Sequence, residues 1–420
     1  MLLNTKAHRW AKGIFFGWWV LATCMVMQIL TASFTMQSFG AYIAVMKEEF
    51  GWSTTVFSVA FAIQQASGGF LGPVIGWLVQ RFGPRRVVRV GLIIFCLGLI
   101  FLSTIQSIPM LYASVIVLAL GASLAGFLPL NTVAVQWFER RRSTALALMQ
   151  TGISLAGFIV PVVAWALVNY GWRATALATS LLVFCIGMPL SRFIGNAPED
   201  YGLEPDGGSI GSNTSAPEAV QKDITANEAL KTRAFWFISF GHGLALMIVF
   251  AILAHLIVFL TEERSFSLQV AGIMVAVMTA MSIVGQLLGG FLGDKLNKRL
   301  LATAAMFGHA LALIMLAYGT SIIWIVGFTV LHGIAWGLRA PIMQSIRADY
   351  FGRKYFGQIM GYSSVIVTVG IMVGPLLAGT FADAYGSYKT GFTLLALLAA
   401  LGSVFFIFST PPKLHDETRA

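Results

Sequence analysis

Between Val90 and Phe138 the chain carries no charged residue. The same holds for Gly13–Met46, Ser53–Gln80, Ser143–Trp172, Ala174–Ser191, Ala234–Thr261, Ser265–Gly293, Leu300–Leu338 and Tyr355–Ala382. A bilayer-spanning helix needs roughly 20 apolar residues, so runs of this length have room for one crossing each and the longest for two. Gln106-Ser107-Ile108-Pro109 and Gly319-Thr320-Ser321 divide the two longest runs with turn-forming residues. Twelve spans are expected, near 14–38, 53–79, 87–107, 110–137, 143–168, 173–194, 234–260, 267–293, 300–320, 322–346, 355–380 and 388–409. The first run exceeds what a bilayer requires, so its Phe39–Met46 end is expected to continue past the outer surface. A β-barrel would alternate apolar and polar residues over ~10-residue strands, whereas these runs are apolar on every face. Composition agrees: 57% of the 420 residues are hydrophobic and 10% charged, against about 25% charged in a soluble protein. Soluble folds, disorder and multi-domain cytosolic enzymes are excluded. The expected class is an all-α membrane protein.

The 27 basic residues sort by loop. With the N-terminus inside, 22 fall on cytoplasmic segments and four (Lys47, Arg173, Arg264 and Lys389) on the outside, while Arg339 sits within a span. The positive-inside rule therefore places both termini in the cytoplasm, as in a multi-pass protein of the cytoplasmic (inner) membrane. The net charge of +10 is a topology signal; scattered over short loops, it does not suggest nucleic-acid binding. Met1–Lys12 reads as a basic lead into a retained first helix, with no cleavage site. Cys24, Cys96 and Cys185 all fall in apolar spans without disulfide or metal-ligand spacing, and core packing is expected of them.

The one long polar stretch, Asn196 to about Lys231, reads as a flexible cytoplasmic linker with a short surface helix at Ala226–Arg233. It divides the chain into a six-helix bundle at 1–194, a linker at 195–233 and a second bundle at 234–420. Internal repetition supports this. Gly76-x3-Gln80-Arg81-x-Gly83-x-Arg85-Arg86 follows span 2, and Gly290-x3-Asp294-Lys295-x-Asn297-Lys298-Arg299 follows span 8, offset by 214. Ser53/Ser267 share that offset. Pro129/Pro341, Pro161/Pro375 and Tyr170-Gly171/Tyr385-Gly386 repeat close to it. Repetition at half the chain length is common in transporters.

The loop motif and its echo resemble the major facilitator superfamily over nearly the whole chain. Phe16-Gly17-Trp18-Trp19 and Glu49-Phe50-Gly51-Trp52-Ser53 are similar to the monocarboxylate and oxalate/formate transporter branch. The resemblance implies two pseudo-symmetric six-helix bundles, alternating access, and a central cavity lined by spans 1, 4, 7 and 10. It also implies a breakable latch at the cytoplasmic helix ends, formed by Gln80, Arg81, Arg85, Asp294, Lys295 and Arg299. The first copy has Gln80 where the family usually has Asp, so the inward gate is expected to lean on Asp294. Topology alone would also account for the basic residues.

No span holds a clearly buried Asp or Glu. The ionisable groups inside spans are Arg339, His242, His255, His309 and His332. A central Arg costs roughly 2.5–3.5 kcal/mol on insertion scales and commonly faces a cavity or partner. Arg339 is therefore the leading candidate to bind a substrate carboxylate bidentately; snorkelling, or donation to carbonyls beside Pro341, would be the structural alternative. His332, Trp336 and Arg339 share a helical face at i, i+4 and i+7, with packing or backbone bonding as the alternative for the first two. His242 on span 7, Gln28, Thr31 and Thr35 on span 1, and Asn131, Gln64, Gln65 and Tyr362 are further polar candidates for substrate contact or interhelical bonding. The branch's proton-coupled members place an Asp and an Arg in span 8, and its oxalate/formate exchangers place cations in spans 8 and 11. This chain has neither arrangement, so no particular substrate carries over.

One buried cation without a carboxylate favours a monoanion. The expected function is secondary active transport of a small organic anion, with a monocarboxylate favoured and a proton or counter-anion as the coupling partner, in contact with membrane lipid. Efflux of a hydrophobic or cationic drug-like solute, and a non-transporting sensor on the same fold, are the alternatives. No nucleotide-, cofactor- or metal-binding motif is present, and an enzyme is not expected.

Overall fold

The computed structural model describes residues 15–207 and 223–412. The basic lead Met1–Lys12, the middle of the polar stretch, and Lys413 and Arg419 lie outside the described residues. Helix α1 (Phe16–Ala32) passes through a π-helical turn at Ser33–Gln37 into α2 (Phe39–Phe50). The combined 35 residues are about 50 Å long, so they outrun a ~30 Å hydrocarbon core as expected. Next come α3 (Thr54–Phe70) and α4 (Gly72–Phe82), broken at Leu71 where Pro73 begins the second piece. A proline there lacks the amide a continuous helix would require. α5 (Pro84–Ser103) and α6 (Ile108–Ala125) flank the expected break at Gln106–Pro109, and α7 (Phe127–Trp137) restarts after Gly126. α8 (Arg142–Leu155) leads through a tight turn at Ala156–Ile159 into α9 (Val160–Leu190), whose path breaks at Gly171 with φ 76°.

The second half contains α10 (Ala226–Leu230), α11 (Arg233–Val258), α12 (Leu268–Gly293), α13 (Lys298–Tyr318), α14 (Ile322–Phe351), α15 (Phe356–Tyr385) and α16 (Tyr388–Phe408). The break between α13 and α14 falls at Gly319–Ser321, also as expected. Among the described residues, ten helical segments are long and apolar enough to cross a bilayer. The 49-residue segment Arg142–Leu190 breaks at Gly171 and makes two crossings. Thr54–Phe82 adds one more, which yields the twelve expected crossings.

The chain separates into two compact units, Met1–Val220 with Met360–Val365, and Gln221–Ile359 with Ile366–Ala420. In the first, α5 packs along α6, α3 against α6, α9 against α5, and α1 against α8. In the second, α14 packs against α12 and α13, and α16 against α13 and α11. The α12–α14 contact rests on small residues. A Cβ added to Gly337 would sit 1.9 Å from the Ser282 carbonyl oxygen, and one on Gly285 2.3 Å from that of Ile334. Backbones this close leave room only for glycine, the usual way membrane helices gain packing energy where lipid offers no hydrophobic drive.

The described ends of the polar stretch are bonded to neighbouring helices. On one side Trp137 Nε1 donates to the Gly195 carbonyl (3.0 Å), and the Asp206 carboxylate accepts from the amides of Glu139 and Arg140. On the other, the Ile224 amide donates to the Phe351 carbonyl (3.0 Å). The Thr225–Glu228 capping box then starts α10. This helix is shorter than expected, with Asn227 and Glu228 on its exposed face. Ala226 and Ala229 are buried beside Phe235, Ile346 and Phe351. At both of these ends, polar residues satisfy helix termini. Cys24 and Cys96 are buried as expected, but Cys185 is exposed on α9; a thiol facing lipid costs no desolvation, so its apolar setting alone did not place it in the core.

Candidate substrate site

Arg339 lies within α14, which stays helical through Pro341. It is 1% exposed, and its Nε and Nη1 have no hydrogen-bond partner among the described residues. Neutral alternatives are absent for this side chain because a guanidinium stays charged. A buried cation with unused donors is costly unless something pairs with it. The structural alternative, donation to carbonyls beside Pro341, is not what is observed at Nε and Nη1.

The expected stripe His332–Trp336–Arg339 does not act as one surface. His332 is fully buried, and its Nδ1 lies 3.1 Å from Nδ1 of His309 on α13. Trp336 is half-buried and packs against the apolar core of the second unit. His242 on α11 bonds elsewhere. Its Nδ1 accepts from Arg347 Nη2 at 3.0 Å, while Arg347 Nη1 donates to the Met343 carbonyl at 2.7 Å.

Arg347 corrects an expectation. Sequence placed it in a loop, but α14 continues to Phe351 and Arg347 is 2% exposed. Arg142 is buried too, its Nε donating to the Phe138 carbonyl at 3.2 Å. Among the described residues three arginines are thus buried where one was expected, because helix carbonyls and an imidazole from another helix provide partners that local sequence cannot reveal. Among the described residues, no Asp or Glu is buried. Two amides not singled out from sequence, Gln286 and Gln344, each keep a buried side-chain oxygen without a partner.

The polar candidates of the first unit are mostly occupied. Thr31 Oγ1 donates to the Met27 carbonyl (2.9 Å) and Thr35 Oγ1 to that of Thr31 (2.8 Å). Asn131 donates to the Phe127 carbonyl (2.6 Å), at the α6–α7 break, and accepts from Gln150 Nε2 (3.3 Å). Gln28 alone among the span 1 candidates keeps an unpartnered buried atom, Nε2; Gln64 on α3 keeps Oε1. Gln65 is half-buried and Tyr362 is exposed. His255 bonds through both nitrogens, to Tyr388 Oη (3.1 Å) and the Pro375 carbonyl (3.0 Å), and so has none left for a ligand.

The repeated loops resolve in detail. Arg85 and Arg299, equivalent by the 214 offset, each bury an Nε that has no hydrogen-bond partner. The Arg85 amide donates to Asn196 Oδ1 (3.1 Å), and the Arg299 amide to Asn297 Oδ1 (3.0 Å). Arg81 lies over the rings of Trp77 and Phe82, and Lys295 over Phe291. Gln80 and Asp294 are half-buried. In the second loop Lys298 pairs with Asp349 of α14 at 2.5 Å, a partner the motif did not predict.

The two short aromatic motifs are cornerstones of the first unit. Phe16 contacts Trp137 and Tyr201 with ring centroids 5.6 and 5.4 Å away, and Trp18 contacts Phe138. At the far end of α2, Phe50 stacks on Trp52 at 4.2 Å while Glu49 accepts from Trp172 Nε1 and Arg173.

A family model described as Major Facilitator Superfamily matches residues 24–259 and 235–420. The chain is 26% identical over 415 residues to monocarboxylate transporter 13 of Bos taurus, covering 94% of this chain and 91% of that protein. It is 22% identical over 421 residues to the oxalate:formate antiporter of Oxalobacter formigenes, covering 97% and 95%. Among solved structures, the human organic anion transporter MFSD10 superposes with a TM-score of 0.71 at 16% identity, over 93% of this chain and 99% of that one. Twelve crossings, a duplicated loop and a family match over nearly the whole length lead to one conclusion: this chain belongs to the major facilitator superfamily, as a multi-pass membrane transporter and not an enzyme.

Proposed function

We propose that this transporter moves a small organic monoanion, a monocarboxylate in the first instance, across the cytoplasmic membrane by alternating access, with Arg339 as the anion-binding residue. One observation carries the reading: Arg339 is buried, its Nε and Nη1 are unpartnered, and no carboxylate is buried among the described residues. A carboxylate accepts two parallel N–H bonds from such a fork, and these charge-assisted bonds are stronger than neutral ones. Arg347 and Arg142 do not change the monoanion preference, since both already donate to backbone carbonyls and Arg347 also to His242. A cationic solute would meet only positive charge here. The names of the similar proteins, a monocarboxylate transporter and an oxalate:formate antiporter, agree with this substrate class.

Trp336 and His242, in the same unit as Arg339, take supporting positions in this reading, whereas His332 is turned to His309; of the first unit's candidates Gln28, Thr31 and Asn131, Gln28 keeps an unpartnered donor. Gln80, Arg81, Arg85, Asp294, Lys295 and Arg299 form the gate of the cycle. The buried, unpartnered Nε atoms of Arg85 and Arg299 are donors available to a changing set of acceptors. The test is uptake by purified protein in liposomes, screened over radiolabelled pyruvate, lactate, formate and oxalate. Uptake of a monocarboxylate that Arg339→Gln and Arg339→Lys both abolish supports the site; wild-type rates in both variants remove it.

A further inference from the structure

The buried imidazoles of His309 and His332 have a geometry that the anion site does not use. They belong to α13 and α14, are both fully buried, and face each other Nδ1 to Nδ1 at 3.1 Å with ring centroids 4.5 Å apart. Such a contact is a hydrogen bond only if one Nδ1 carries hydrogen and the other does not. In the neutral pair, the donating ring then has a bare Nε2 and the accepting ring has an Nε2–H. Both Nε2 atoms are buried without a hydrogen-bond partner among the described residues. The pair therefore presents one unused, buried acceptor next to a neighbour able to share the Nδ1 proton.

We infer that the His309–His332 pair is the proton-coupling site of this carrier, taking up one proton when an anion sits at Arg339. This rests on the proposed anion site. The proton comes from solution to the bare Nε2. The resulting imidazolium keeps both ring hydrogens and donates Nδ1–H to its neutral partner, a charge-assisted bond stronger than the one it replaces.

The surroundings decide when that happens. α12 carries no charged residue along its length. On α13 the charges are Lys298 and Arg299, at its first turn. On α16, which packs on α13, they are Lys389 with Tyr388 at its start. α11 contributes Arg233 at its first residue, His242 bonded to Arg347, and His255 bonded to Tyr388 and Pro375. On α14 the charge nearest His332 along the chain is Arg339, seven residues and so about 10 Å along the helix. At that separation a second positive charge is disfavoured roughly tenfold in a protein interior. A carboxylate on Arg339 cancels that repulsion, so anion and proton favour each other's binding. By linkage the effect is reciprocal, which is the thermodynamic requirement for symport. Among the described residues, no buried carboxylate competes for the role.

The experiment uses full-length protein in liposomes with radiolabelled pyruvate as probe. With the pair as coupling site, an inwardly directed proton gradient drives pyruvate accumulation in wild type. His309→Gln and His332→Gln each lose the gradient-driven part but keep pyruvate counterflow within about twofold, because exchange needs Arg339 and no net proton. Arg339→Gln loses both, which separates this inference from the anion site itself. Gradient-driven accumulation that survives in both histidine variants overturns the proton site. So does wild-type accumulation that ignores the gradient. A second measurement needs no substrate. With 15N-histidine protein in lipid nanodiscs, the two rings titrate as one proton per pair, and Arg339→Gln raises the midpoint by about one pH unit. An unmoved midpoint, or two rings titrating independently, overturns the coupling even if pyruvate is not carried.

Discussion

The two halves are built on one repeated plan yet have different interiors. In the first unit the buried polar groups are mainly neutral and bonded: Asn131 to Phe127 and Gln150, and Thr31 to its own helix. Its buried cation, Arg142, stands at the very start of α8. In the second unit, α14 alone buries Arg339 and Arg347, with His332 on the same helix and His309 and His242 beside it. Duplication preserved what holds the helices: the loop arginines Arg85/Arg299, the reversal glycines Gly171/Gly386 with positive φ, and the corner acids Glu49/Glu263. In the proposed reading a single anion needs a single cation, so the asymmetry is where the anion site would depart from the shared scaffold.

The contrast can be broken most directly at Arg339. Arg339→Gln should reduce binding of the transported anion roughly 30- to 100-fold, the size of a lost charge-assisted pair. Asn131→Ala in the first unit should change it far less, as measured by counterflow at graded substrate concentrations. The second test concerns the scaffold that holds the cation. Gly337→Val pushes a side chain into the Ser282 carbonyl, and should destabilise the second unit by about 1–3 kcal/mol or more. A lowered melting temperature of the detergent-solubilised protein would record it.

A smaller effect separates charged from neutral bonding. His242→Phe takes one acceptor from a buried guanidinium, whereas Gln150→Leu removes a donor from a neutral amide pair. The first should cost about 1.5–3 kcal/mol and the second about 1 kcal/mol. Equal losses in denaturant titrations would show that the two interiors do not differ as described. The smallest difference lies at the matched corners. Glu49 pairs with Arg173 and Trp172, while Glu263 accepts from the Ser387 hydroxyl and the Tyr388 amide. Glu49→Gln should cost under about 1 kcal/mol and lose that effect in high salt. Glu263→Gln should be insensitive to salt.

Much of this was legible along the chain. The breaks at Gln106–Pro109 and Gly319–Ser321 appear where turn residues interrupt apolar runs, and Gly171 announced itself through Tyr170-Gly171 and its later copy. Arg339 stood out because a charge in the middle of an apolar run is expensive wherever it occurs. Arg347 did not: with Arg353 and Lys354 close behind, it read as the start of a basic loop, and only the continuation of α14 and the arrival of His242 made it an interior residue. The stripe from His332 to Arg339 was periodic in sequence but divided in space, because His332 found a partner 23 positions away on α13. The described ends of the stretch 195–233 are polar, and composition cannot tell a free polar segment from one whose carboxylates and amides cap helices.

Sequence by itself determined the number of crossings, the duplication, the family and the rarity of interior charge. These depend on hydrophobicity and spacing, which are local and additive along the chain. Tertiary structure alone decided which buried donors were satisfied, that three arginines and not one are interior, and that two distant histidines meet. A hydrogen bond depends on ångström distances between groups that folding brings together from separate helices, and no linear pattern encodes that distance.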